Sequence, residues 1–72
     1  MKIVLDIAYE CNVSRQEIHN SIKRLNLKPS KRNNHFIITP QQEELIHWNL
    51  YYLGKLSEIT FESKMNYSNN FL

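Results

Sequence analysis

The sequence predicts a mainly α-helical fold carrying one small β-hairpin, and three observations support that prediction. Two short stretches with helical apolar spacing are separated by the turn Asn12-Val13-Ser14. A strand-like run, His35-Phe36-Ile37-Ile38, follows Asn33-Asn34, residues that tolerate the positive φ of a hairpin tip. A third helical stretch then opens on Thr39-Pro40-Gln41-Gln42, with a capping threonine, proline at the first helical position and a glutamine placed for a capping box.

The first helix should begin at about Val4 or Leu5 and run to Cys11, with Val4, Ile7, Ala8 and Cys11 on one face. Asn12 suits the left-handed conformation of a sharp turn. Ser14-Arg15-Gln16-Glu17 reads as a complete capping box, in which Ser14 accepts from the amide of Glu17 and Glu17 reaches back to the amide of Ser14. The second helix then buries Ile18, Ile22 and Leu25. Asn26 is suited to its left-handed terminus, Leu27 to folding back on Ile22, and Pro29 forbids continuation. Lys28 to Ile38 should form the hairpin. The third helix should reach at least Gly54, and Glu62 where a partner supports it. These elements give the divisions 1–38, 39–63 and a tail over 64–72.

A chain of 72 residues is one small domain at most, too small for a large catalytic cleft. Its apolar residues form no run approaching the roughly 20 that span a bilayer. Asp6 interrupts the first apolar run, and no small-residue cleavage site follows, so the expectation is a soluble, cytoplasmic protein without membrane attachment. Cys11 is the single cysteine, which excludes an internal disulfide, and it falls on the inward face of the first helix as a small core residue. His19, His35 and His47 lack metal-like spacing, and no nucleophilic triad can be built from positions this scattered. No enzyme, metal or cofactor is expected.

Charge is divided along the chain. Up to Ile38 there are seven Lys or Arg residues against three acids, and from Thr39 onward two against four. A basic segment joined to a neutral or acidic one suits a polyanion-binding module fused to an assembly element. A tight turn between a two-turn helix with Ala8 on its inner face and a helix carrying Ile18 and Ile22 is the packing requirement of a helix-turn-helix. Ala8 permits a close crossing and Val13 plugs the corner. With that face buried, the second helix projects Arg15, Gln16, His19, Asn20, Lys23 and Arg24. Arginine can bond guanine bidentately, and glutamine or asparagine can do so for adenine, while lysine and the helix N-terminus at Ser14 suit phosphates. Gln16, His19, Asn20 and Lys23 should lie deepest in a major groove, flanked by Arg15 and Arg24. Lys28, Lys31 and Arg32 of the hairpin should meet phosphates or a minor groove.

The run Ile7-Ala8-Tyr9-Glu10-Cys11-Asn12-Val13-Ser14-Arg15-Gln16-Glu17-Ile18-His19, followed by Ile22-Lys23-Arg24-Leu25-Asn26-Leu27, resembles the winged helix-turn-helix of the MerR superfamily. The similarity is to small phage and plasmid regulators and to the N-terminal domains of segregation proteins that anchor chromosomes or plasmids. It covers about residues 3 to 50 and implies a major-groove role for Gln16 to Arg24 and a wing role for Lys31 and Arg32. Asn12 and Asn26 stand where glycines are common, which is physically tolerable. The residues that remain cannot supply the second helix pair, long dimerisation helix and effector pocket of full-length MerR regulators, so no small-molecule effector is expected.

In the third helix Leu45, Asn49, Tyr52, Leu56 and Ile59 alternate spacings of four and three, while Ile46, Leu50 and Leu53 form an adjacent stripe. One stripe must cover the core. The other, with Trp48, predicts a homodimer in which Asn49 sets register. Such a dimer would place two recognition helices on a palindromic site. The expected function is sequence-specific binding of double-stranded DNA, as a phage or mobile-element transcriptional regulator or excisionase-like factor, or as a segregation anchor. A protein-protein adaptor using the basic surface and the third helix is the alternative of another class.

Overall fold

The computed structural model describes residues 1–56 and Thr60. The order of elements is β1 (Lys2–Ile3), α1 (Val4–Cys11), α2 (Arg15–Arg24), β2 (Ser30–Arg32), β3 (His35–Ile38) and α3 (Pro40–Tyr52). Three helices and a three-stranded antiparallel sheet of order β1-β3-β2 make a mainly helical winged helix-turn-helix.

Local chemistry accounts for the boundaries. Ile3 N–H donates to Asp6 Oδ2 at 3.1 Å at the start of α1. The chain leaves α1 through Asn12 at φ 56, with Val13 N–H donating to the Ala8 carbonyl at 3.0 Å. The end of α2 repeats the device: Asn26 stands at φ 55, and Leu27 N–H donates to the Ile22 carbonyl at 3.0 Å. Both are Schellman closures, in which a left-handed residue turns the chain back and satisfies carbonyls that the helix leaves open. Asn33 at φ 51 and Asn34 at φ 66 make the two-residue hairpin turn, whose positive dihedrals match the right-handed twist of the paired strands. Arg32 consequently faces His35, and Lys31 faces Phe36.

Four expectations need correction. A strand precedes α1: Lys2 pairs with Ile38 and Ile3 with Ile37, which makes β3 the central strand. Two residues are too few to show an alternating pattern. At the start of α2 only half of the capping box forms. Ser14 Oγ accepts from Glu17 N–H at 3.1 Å, while the Glu17 carboxylate lies 3.7 Å from Lys55 Nζ. Helix α3 stops at Tyr52, short of Gly54, because Gly54 adopts φ 72 and Lys55 N–H donates to the Leu50 carbonyl at 2.9 Å, a third Schellman closure. That turn carries Leu56 into the core, where it is 5% exposed, so Leu56 cannot serve a second chain as expected.

The core is one cluster: Val4, Ile7, Ala8 and Cys11 of α1, Ile18 and Ile22 of α2, Ile38 of β3, Ile46 and Leu50 of α3, and Leu56. Val13, Leu25, Leu27, Phe36 and Tyr51 pack against it. Ile7, Ile18, Ile38, Ile46 and Leu50 are fully buried, each removing enough apolar surface to favour folding by about 1.5–3 kcal/mol. At the opposite edge, Lys2 Nζ bridges Glu10 Oε1 at 2.7 Å and Glu43 Oε2 at 2.8 Å, tying β1 to α1 and α3. Burial opposes the Lys2 charge, but the two carboxylates outweigh it and raise the pKa above the ordinary lysine value. Among the described residues no helix is long and apolar enough to cross a membrane.

Candidate nucleic-acid interface

The exposed side of α2 presents what the helical spacing predicts. Arg15, Gln16, Lys23 and Arg24 are exposed, and His19 and Asn20 are half-buried along the same helix. Ile18, Ser21 and Ile22 face inward. Gln16 Nε2 donates to Asn20 Oδ1 at 3.0 Å, so these two amides act as a pair one turn apart. Their free donor and acceptor atoms retain the chemistry that adenine recognition needs. Ser14, Arg15, Gln16 and His19 line a shallow open depression at the N-terminal end of the helix, where its amides and dipole favour an anion.

The wing is joined to this helix by an aromatic contact. The His19 ring lies 5.7 Å from the Phe36 ring of β3, centroid to centroid, and Lys31 Nζ of β2 sits 5.3 Å from the Phe36 centroid. Phe36 thus packs against the core and is also the joint between α2 and the hairpin. Lys28, Lys31 and Arg32 are all exposed. Among the described residues no carboxylate lies within ion-pairing distance of Arg15, Lys23, Lys28, Lys31 or Arg32. Lys2 and Lys55, by contrast, face carboxylates of their own chain.

One polar residue essential to this geometry was not singled out by spacing. Ser21 is fully buried, and its Oγ donates to Asn49 Oδ1 of α3 at 2.8 Å. Arg24 Nη1 donates to the same oxygen at 2.9 Å. Asn49 therefore bonds to both residues within its own chain. The signal that marks Ser21 is its position between Ile18 and Ile22 on the inward face.

The two apolar stripes of α3 take different environments. Ile46 and Leu50 cover the core together with buried His47, whose Nε2 lies 3.6 Å from Glu43 Oε2. Leu45, Trp48, Tyr52 and Leu53 remain partly or largely exposed, and Trp48 stacks on Tyr52 with centroids 5.6 Å apart. Ile59 lies outside the described residues. Among the described residues no group of three or more His, Cys, Asp or Glu is placed to hold a metal ion.

A capped second helix with a polar, cationic outer face, beside a basic antiparallel hairpin, defines a winged helix-turn-helix DNA-binding domain. The chain belongs to the Par winged helix-turn-helix family, whose model matches residues 1–48. That match runs from β1 through most of α3 and includes both the recognition helix and the wing. No curated protein and no solved structure matches the chain.

Proposed function

We propose that this protein reads double-stranded DNA in a sequence-specific manner, with α2 in the major groove and the β2-β3 wing against the backbone or minor groove. The observation that carries this reading is the shared exposure of Arg15, Gln16 and Lys23 on α2 and Lys31 and Arg32 on β2, held together through His19 and Phe36. Gln16 and Asn20 supply base-edge hydrogen bonds, with His19 and Lys23 beside them. Ser14, Arg15, Lys28 and Arg32 meet phosphates, which position the protein without carrying sequence information. Selection of binding sites from randomised duplexes tests the proposal. Enrichment of a short motif whose preference at one base pair disappears in Gln16→Ala supports it, and enrichment of no motif counts against it.

The Par family supports a segregation or anchoring role over a phage regulator or excisionase. Several clustered copies of the selected motif near the protein's own gene would favour anchoring, whereas one copy overlapping a promoter would favour regulation. Homodimerisation is the companion proposal. Its surface is the exposed stripe Leu45, Trp48 and Tyr52, an apolar face that a second copy would cover while aligning two recognition helices. Sedimentation of a strict monomer at tens of micromolar, with and without DNA, would contradict it.

A further inference from the structure

Asn49 stands outside the surface assigned to DNA, yet it is the residue through which α3 touches that surface. Its Oδ1 accepts from the Ser21 hydroxyl at 2.8 Å and from Arg24 Nη1 at 2.9 Å. A carboxamide oxygen has two lone pairs, and both are engaged here. The Ser21 bond satisfies a hydroxyl buried at 0% exposure, which would otherwise be costly. The Arg24 bond has no such burial to relieve, since Arg24 is exposed. Its consequence is orientation: a long side chain with much rotamer freedom is fixed at the C-terminal end of the recognition helix before any ligand arrives.

We propose that Asn49 is a positioning residue for DNA binding, holding the Arg24 guanidinium in a single pose from which its other N–H groups clamp a backbone phosphate. This inference rests on the DNA-binding reading above. Arg24 has five donors in a planar fork, so one bond to Asn49 leaves a bidentate edge for a phosphate. Placement at the end of α2 and attachment to α3 suit a backbone contact, because base edges are read from residues nearer the N-terminal part of a recognition helix. The pairing also accounts for an asparagine in a helix whose neighbouring positions Ile46 and Leu50 are wholly apolar and buried.

The test is a double-mutant cycle on DNA affinity, read with the salt slope. Asn49→Ala should weaken binding about 2- to 10-fold, the ordering cost of one long side chain. It should leave the slope unchanged, because the cation is still present. Arg24→Ala should weaken binding and also reduce the slope by about one phosphate contact. Asn49→Ala made in the Arg24→Ala background should have no further effect, a result that a purely structural role for Asn49 would not give. Ser21→Ala should bind as the wild type does. Should Asn49→Ala unfold, Ser21→Ala/Asn49→Ala removes hydroxyl and acceptor together, leaves no buried group orphaned, and completes the same cycle. Wild-type binding with an indifferent Asn49 variant, or equal losses with and without Arg24, overturns the positioning role alone. A wild-type chain that binds no duplex at low salt overturns the DNA reading and this role with it.

Discussion

The ring of His19 on α2 lies 5.7 Å from the ring of Phe36 on β3, inclined at 57°. Through this pair the recognition helix and the wing form one surface. Lys31 at 5.3 Å from the same Phe36 ring extends the joint to the basic strand. Tilted ring pairs at such separations contribute about 0.5–1.5 kcal/mol beyond simple burial.

Replacing Phe36 therefore separates packing from alignment. Phe36→Leu should keep most of the apolar contact with the core and lower Tm only slightly, but it removes the ring that His19 and Lys31 share. DNA affinity should fall more than stability does. Thermal unfolding and anisotropy measured on the same preparation check this, and a parallel loss of both would show that the ring serves packing only.

Gln16 and Asn20 are hydrogen-bonded at 3.0 Å, so their substitutions should not be additive. Gln16→Ala should cost about 1–3 kcal/mol of discrimination at one base pair while leaving binding to unrelated duplex nearly intact. Adding Asn20→Ala should cost less than Asn20→Ala does alone. Competition binding against single-base-pair variants of the selected site measures both quantities.

The wing depends on Asn33 and Asn34, both in the left-handed region. Asn34→Val should destabilise the turn by about 1–2 kcal/mol, the steric cost of placing a side chain branched at Cβ there. Asn34→Gly should be neutral or slightly stabilising. Amide hydrogen exchange should report the valine variant as fraying in β2 and β3 while α1 and α2 keep their protection.

Core substitutions in α3 should be severe. Ile46→Ala and Leu50→Ala each empty a fully buried site, at about 2–5 kcal/mol. A domain of this size holds only about 5–15 kcal/mol in total, so either variant should unfold at markedly lower temperature or denaturant concentration. Leu45→Ala and Tyr52→Ala, on the exposed face, should leave the unfolding of the monomer almost unchanged.

Lys2 supplies a pH dependence at the alkaline end. Its pKa is raised in the folded protein, because Glu10 and Glu43 favour the charged form against the opposing effect of burial. A raised lysine pKa contributes stability that is fully present below the ordinary value of 10.5 and is lost as pH climbs through the folded value. The side chain is 38% exposed, so the contribution should stay under about 1 kcal/mol. The stability difference between wild type and Lys2→Met should be constant near neutrality and shrink above pH 10.5. Denaturant titrations across that range would show it, and a gap that persists would refute the linkage.

Much of this fold was legible because its punctuation is local. Asn12, Asn26 and Asn33-Asn34 mark turns that only a few residue types adopt, and Ser14 and Thr39 mark helix starts by the atoms they offer. The inward faces of α1 and α2 followed from helical spacing. What escaped depended on partners distant in sequence. Strand β1 exists because Ile37 and Ile38 offer it an edge, and Glu17 lies toward Lys55, a residue far along the chain, rather than completing the cap at Ser14. In α3 spacing separates two apolar stripes, but it could not show that the turn at Gly54 leaves Leu53 exposed and carries Leu56 into the core. The partners of Asn49, Ser21 and Arg24, lie on another helix, so spacing along α3 could not show them.

The central claim is that α2 and the wing together form a DNA-reading surface, and fluorescence anisotropy tests it most directly. Wild type and Lys23→Ala should be titrated against random duplexes and against the DNA flanking the protein's own gene, at two salt concentrations. The account predicts tight, salt-sensitive binding that prefers the flanking DNA and weakens in the variant. Failure of the wild type to bind either duplex below about 100 micromolar at low salt, weaker than ordinary nonspecific affinity, would contradict it.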